Sequence, residues 1–253
     1  MSAHYDSYDY PSYWEGRTYE HEAEVSAIKY LLNKIAHIRT VIDIGAGYGR
    51  LSPLYIHRAR KIILTDPSSK LLKIARLKLP NKKVIFLQAK AETLPDKLRK
   101  KSADLVICVR VAHHINDIDT LLKITNDLLV NNGYFIFEFA NKRHLKAIFS
   151  EFIQGNFTFA LDIFPIDLRS KRAKKQHTLP FVNYHPDVIK RKLVQNGFVI
   201  KEVLSVSNIR SAFLKKHMSV NNLIEIEKLL RKPFSKFSLG PSVFILARKK
   251  GSL

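Results

Sequence analysis

The chain has 253 residues, 46% of them hydrophobic, and sets 43 lysines and arginines against 22 acids, a formal charge of +21. That length buries one substantial core and suits a single α/β domain with a small added element. The polar, tyrosine-rich opening (MSAHYDSYDYPSYWEG) and the lack of a run of about eighteen apolar residues speak against a secretory signal and a membrane span, so a soluble, cytoplasmic protein is expected. A lone cysteine, Cys108 in DLVICVRV, excludes a disulfide framework and a cysteine-based metal site, and reads as a small buried hydrophobe.

Residues 1–39 pass from an aromatic segment into an amphipathic helix, about Tyr19 to Ala36, with Val25, Ile28, Leu31, Leu32 and Ile35 at three- and four-residue steps. Next comes VIDIGAGYGRL. The β-branched run Thr40 to Ile44 predicts a buried strand, Gly45, Gly47 and Gly49 a tight turn, and the pattern from about Tyr48 to Arg58 a helix. Glycines there admit positive φ and close approach of a ligand, and a helix start offers free amide donors. The dinucleotide fingerprint G-x-G-x-x-G fails, because Arg50 stands at its third glycine.

KIILTD then predicts a second strand ending in Asp66, twenty-one residues beyond Gly45. At that spacing an acid at a strand tip meets a ribose; a surface acid before Pro67 is the alternative. A helix (Ser69 to Leu79), a strand (Lys83 to Leu87) and QAKAETLP follow, then the strand ADLVICV, RVAHHIND and a helix from Asp117 to Val130. His113 and His114 fall just past the fourth strand, at the rim where open α/β sheets place chemistry, either as a general base or as loop-shaping residues. In NNGYFIFEFANKRHLK, Gly133 starts a fifth strand that carries Glu138 and Asn141 to the same rim.

Residues 142–184 form a basic-aromatic insertion with Phe149, Phe152, Phe157, Phe159 and Phe164 ahead of RSKRAKKQH, read as a substrate cover or as a helical cap with its own core. A helix from Pro186 to Asn196 is capped by Gly197, FVIKEVLSVS is a sixth strand, residues 209–239 hold a helix from Val220 to Leu230, and PSVFILARKK is the last strand. Basic clusters stand at Arg58/Arg60/Lys61, Lys97/Arg99/Lys100/Lys101, Lys171/Arg172/Lys174/Lys175 and Arg248/Lys249/Lys250. Such a field suits RNA or another anionic partner, or merely solvates the surface. The histidines show no metal-ligand spacing, and no metal is expected.

From Asp43 the string D-x-G-x-G-x-G resembles motif I of the class I S-adenosylmethionine-dependent methyltransferases. QAKAETLP is similar to that family's G-D-A-E-x-L-P, with Ala91, Glu92, Leu94 and Pro95 matching and Lys90 where aspartate is frequent. The fourth-strand segment resembles motif IV of the small-molecule branch and lacks the N-P-P-[FY] of amino-methylating nucleic-acid enzymes. The fifth-strand string resembles the type 11 (ubiquinone/menaquinone-biosynthesis-like) group. The likeness covers about residues 40 to 140.

The resemblance implies an α/β fold: a Rossmann-like, seven-stranded, mostly parallel sheet whose antiparallel last strand inserts between the fifth and sixth, with helices on both faces and small cap insertions. It implies a lid and helix over 1–39, a cofactor-binding core over 40–141, a cap over 142–184, and the rest of the core over 185–253. S-adenosyl-L-methionine (product S-adenosyl-L-homocysteine) would be bordered by Asp43, Gly45, Ala46, Gly47, Asp66, Pro67, Ala91, Glu92 and Val109. Tyr13, Trp14 and Arg17 would close the pocket, Arg17 pairing the cofactor's carboxylate. His113, His114 and Glu138 are the candidate bases. The implied activity is methyl transfer to a small-molecule acceptor, lipophilic or quinone-like; the alternatives are an RNA or protein methyltransferase and a non-catalytic cofactor-binding scaffold. Acceptor, methylated atom and oligomeric state stay open.

Overall fold

A computed structural model describes residues 10–115, 117–175 and 180–251. The first nine residues of the aromatic segment, Asn116 of RVAHHIND, and Gln176 and His177 of the basic run lie outside the described residues.

The sheet is built from β1 (Thr40–Ile44), β2 (Lys61–Asp66), β3 (Val84–Gln88), β4 (Ala103–Cys108), β5 (Leu129–Ala140), β8 (Phe198–Val206) and β9 (Ser242–Lys249). Its order is β3-β2-β1-β4-β5-β9-β8; β1 to β5 pair in parallel, and β9 runs antiparallel to both neighbours. This is the expected seven-stranded sheet. Its strands read as near-continuous apolar runs because both faces are covered. Alternate side chains feed two cores. Val41, Leu105, Ile107 and Phe244 face one layer, with α1 (Thr18–Leu32) and α8 (Val220–Phe237). Ile42, Val106, Cys108 and Phe137 face the other, with α3 (Ile118–Leu128) and α6 (Pro186–Gln195).

Between β2 and β3 lies α2 (Ser69–Lys78), whose Ser68 N-cap accepts from the Leu71 amide at 3.1 Å. The cap region holds α4 (Leu145–Ile153), the two-residue strands β6 (Ile166–Asp167) and β7 (Val182–Asn183), and α5 (Lys171–Lys175). A short α7 (Ala212–His217) precedes α8.

The first crossover departs from expectation. No α-helix forms over 48–58; a 3-10 turn at Ser52–Leu54 lies among tight turns instead. Pro53 has no amide to give the Gly49 carbonyl, so the Ser52 amide takes it at 3.1 Å and the chain winds in three-residue steps. Conversely, α8 runs on through Pro233 to Phe237, seven residues past the expected end. β5 begins at Leu129, so α3 stops two residues short of Val130 and Gly133 lies inside the strand.

Candidate cofactor and acceptor site

The carboxyl ends of the parallel strands share one edge, and the motif I turn crosses it. Gly45 has φ +71°, and a Cβ there would stand 2.2 Å from Val111 Cγ2. Gly47 has φ +56°, with the Tyr10 ring 3.8 Å from the place of its missing Cβ. Three of the turn's amide donors are already engaged. Ala46 N–H donates to the Thr65 carbonyl at 2.9 Å, Gly47 N–H to Asp66 Oδ2 at 2.9 Å, and Gly49 N–H to the Ala46 carbonyl at 3.0 Å. A pyrophosphate needs such donors free. A nucleoside that binds by surface contact against a glycine cradle does not, and these residues suit one such as S-adenosylmethionine.

Asp66 is buried and also accepts from the Ser68 amide at 2.8 Å, so its carboxylate pins the turn to the tip of β2. Beneath it, buried Asp43 accepts a hydrogen bond from the hydroxyl of fully buried Tyr55, carried there by the tight crossover. Burial pushes the Asp43 carboxyl up to about 7, the Tyr55 bond opposing and the nearby Asp66 charge adding to the rise. Half-buried Pro67, buried Ala91 with exposed Glu92 after β3, and buried Val109 after β4 complete the same edge.

Arg17 does not join it. Its side chain is exposed and lies over the Tyr13 ring at 4.3 Å. The arginines beside the turn are Arg50 and Arg110, neither of them singled out by sequence reasoning. Glu24, fully buried on α1, binds Arg50 Nη2 through Oε2 at 2.5 Å, and Arg110 Nη2 at 2.5 Å and Nε at 2.7 Å through Oε1. Burial alone would raise the Glu24 pKa; the two guanidiniums reverse this and hold it below its usual value. The Trp14 ring lies 3.5 Å from the Arg50 guanidinium. A signal for this cluster existed: a glutamate one turn before Ile28, inside the apolar stripe of α1.

Arg110 has φ +63°, and its amide donates to Glu138 Oε2 at 2.8 Å, while Ser242 Oγ donates to Oε1 at 2.6 Å. Glu138 is therefore buried inside the sheet and fixes the turn after β4; it does not open on the rim as expected. Burial raises its pKa, with Arg110 opposing. Asn141 is likewise locked inside, donating to the carbonyls of Ser238 at 2.6 Å and Gly240 at 2.7 Å.

His113 and His114 sit in the 3-10 turn Ala112–His114, their ring centroids 4.0 Å apart, with Phe181 of the cap 4.8 Å from His113. Burial, then His114 and Arg110, hold the buried His113 imidazole well below its usual pKa, so it is neutral at pH 7. His114 is half-buried, its Nδ1 2.7 Å from the Pro180 carbonyl. A carbonyl only accepts, which assigns a proton to Nδ1.

Several of the basic clusters lie away from this edge. Arg60 and Lys61 open β2 and Lys101 precedes β4, at the opposite ends of those strands, and Arg248 and Lys249 stand beside the start of β5. Arg58 is tied to the carbonyls of Leu32 and Ile35, each at 2.5 Å. Among the described residues no group of three or more potential ligands holds a metal, and no helix is long and apolar enough to cross a membrane.

Comparison with known proteins agrees with this geometry. Residues 42–137 match the family model for a methyltransferase domain, type 11. A ubiquinone biosynthesis O-methyltransferase of Pelagibacter ubique is 30% identical over 112 residues, 44% of this chain and 45% of that protein. One of Nitrosomonas europaea is 29% identical over 161 residues, 58% of this chain and 68% of that protein. The chain thus spans less than half the length of the first relative. Among solved structures, an S-adenosylmethionine-dependent methyltransferase of Mesorhizobium loti superposes with a TM-score of 0.62 at 18% identity, covering 90% of this chain and 98% of that one. One from Archaeoglobus fulgidus gives 0.59 at 18% identity, covering 95% and 100%.

The fold is that of the class I S-adenosylmethionine-dependent methyltransferases. Residues 42–137 are similar to the type 11 methyltransferase domain.

Proposed function

We propose that this chain methylates a small-molecule acceptor of lipophilic or quinone-like character. The observation that carries the reading is the motif I turn, whose glycines form a cradle while three of its amides are engaged internally, with an acid at the tip of the next strand. The acceptor class draws on the two relatives named for ubiquinone biosynthesis and on the aromatic wall that Phe181 adds beside the histidines. S-adenosylmethionine supplies a methyl group already activated by its sulfonium charge, so the protein's tasks are alignment and exclusion of water.

On this reading Asp66 takes the ribose hydroxyls, and Ala91, Glu92 and Val109 border the adenine. Gly45, Ala46 and Gly47 face the methionine portion, with Asp43 setting the turn from below. Arg110 replaces Arg17 as the cation nearest the methionine end, since the neighbouring Val111 packs on Gly45. His114 is the candidate base, with the His113 ring packed beside it and Glu138 fixing the preceding turn at Arg110. The test is transfer of labelled methyl from S-adenosylmethionine to fractionated lipid-soluble and water-soluble metabolites. Label entering only RNA or protein would overturn the acceptor class, and no label in any fraction, with cofactor binding intact, would favour a scaffold.

A further inference from the structure

An amphipathic helix at a protein surface normally turns its apolar stripe inward. α4 is reversed. Leu145, Phe149, Phe152 and Ile153, spaced as one stripe, are all exposed, with Phe149 at 64% and Ile153 at 69%. The partly buried positions Ala147, Ile148 and Glu151 rest on the protein, so the one acid of the helix points away from the exposed stripe. The chain beyond α4 extends the patch through Phe157, whose ring packs edge-on against Phe152 at 5.0 Å, and through Leu161 (77%) and Phe164 (72%).

This surface is held in place. Buried Lys142 donates to the Asp162 carboxylate at 2.6 Å and to the Phe164 carbonyl at 2.8 Å, tying the loop to the end of β5. The rim of the patch is basic. Lys146 lies on α4 itself, and Arg210 approaches the His144 cap of α4 closely enough that, after burial, it helps hold that imidazole below its usual pKa. Lys171, Arg172, Lys174 and Lys175 of the same insertion are all exposed.

We infer that the outward face of α4 and the 157–164 loop docks on an anionic lipid bilayer, lying in its interface. Charge complementarity selects this occupant: an apolar stripe on α4 without acids, continued by a loop whose one acid, Asp162, is paired with Lys142, and edged by Lys146 and Arg210 on a chain of charge +21, matches acyl chains below anionic headgroups. Aliphatic Leu145, Ile153 and Leu161 suit hydrocarbon better than nucleic-acid bases, which stack on aromatic rings. The inference stands apart from the identity of the acceptor and is tested without acceptor or cofactor.

The full chain is floated with vesicles of phosphatidylcholine alone and of phosphatidylcholine with phosphatidylglycerol in equal parts. Binding to the anionic vesicles is expected, weakened at least tenfold by Phe149→Ser with Ile153→Ser, a pair that leaves the charge unchanged. Lys146→Gln with Arg210→Gln should weaken binding and flatten its salt dependence. Both variants should melt with the wild type, since the altered side chains are exposed. The inference is overturned if the wild type ignores anionic vesicles, whether it then retains single-stranded RNA or forms a dimer that the serine pair dissociates. It is equally overturned if the serine pair binds vesicles as tightly as the wild type, which would leave charge alone as the cause.

Discussion

Glu24→Gln tests the arrangement around motif I most directly. The carboxylate is fully buried and meets Arg50 and Arg110, whose side chains are themselves mostly shielded. Glutamine keeps the shape and one acceptor oxygen, yet it presents an amide to one guanidinium and removes the carboxylate that both cations share. Breaking a buried pair in this way costs about 3 kcal/mol. For a domain of this size about 1 kcal/mol corresponds to roughly 2–4 °C in melting temperature, so a fall of about 6–12 °C is expected. The pH dependence has a definite sign. A carboxyl whose folded pKa is depressed stabilises the fold above its unfolded pKa, about 4.3, and that contribution disappears as pH falls through the lower folded value. The difference between wild type and variant should hold constant from about pH 5 to 8 and shrink below about pH 4. Differential scanning calorimetry across that range is the measurement; a variant melting within a degree of the wild type at pH 7 would refute the reasoning.

Asp66→Ala should weaken S-adenosylmethionine at least tenfold, about 1.4 kcal/mol, by calorimetric titration, and unchanged affinity would remove the ribose role. Asp43 titrates the other way: its folded pKa, raised to about 7 by burial, contributes stability below the unfolded value, about 3.9, that is lost as pH rises through 7. Asp43→Asn should therefore flatten the stability profile between about pH 5 and 8 and melt no lower than wild type at pH 8. Gly45→Ala suffers twice, from positive φ and from the 2.2 Å approach to Val111 Cγ2. Adding Val111→Ala should restore part of the lost melting temperature, and no recovery at all would rule out the side-chain clash.

Legibility in the sequence followed the range of the interactions. The strands were plain because both faces of the sheet are covered, so each strand is an uninterrupted apolar run. The glycine turn and Asp66 were plain because backbone geometry confines residue choice there. The crossover after Gly49 misled, since its periodicity is helical and the single missing amide of Pro53 decides against the α-helix. The pairing of Glu24 with Arg50 and Arg110 escaped notice because they meet only in three dimensions, 26 and 86 residues apart along the chain. Glu138 and Asn141 were given the right edge of the sheet and the wrong exposure. A strand position shows which end a side chain is near, whereas the Arg110 amide and Ser242 hydroxyl that enclose Glu138 come from other strands.

The placement of β9 bears on how the molecule is made. Residues 242–249 follow every other strand in sequence yet occupy the slot between β5 and β8, so two strands synthesised earlier have no partner for each other until this one arrives. During translation the edge of β5 is left raw, with unpaired amides and carbonyls open to any extended chain nearby. Chaperone dependence should therefore last until this strand is made, and a product halted before residue 242 would be aggregation-prone however well its glycine turn had formed.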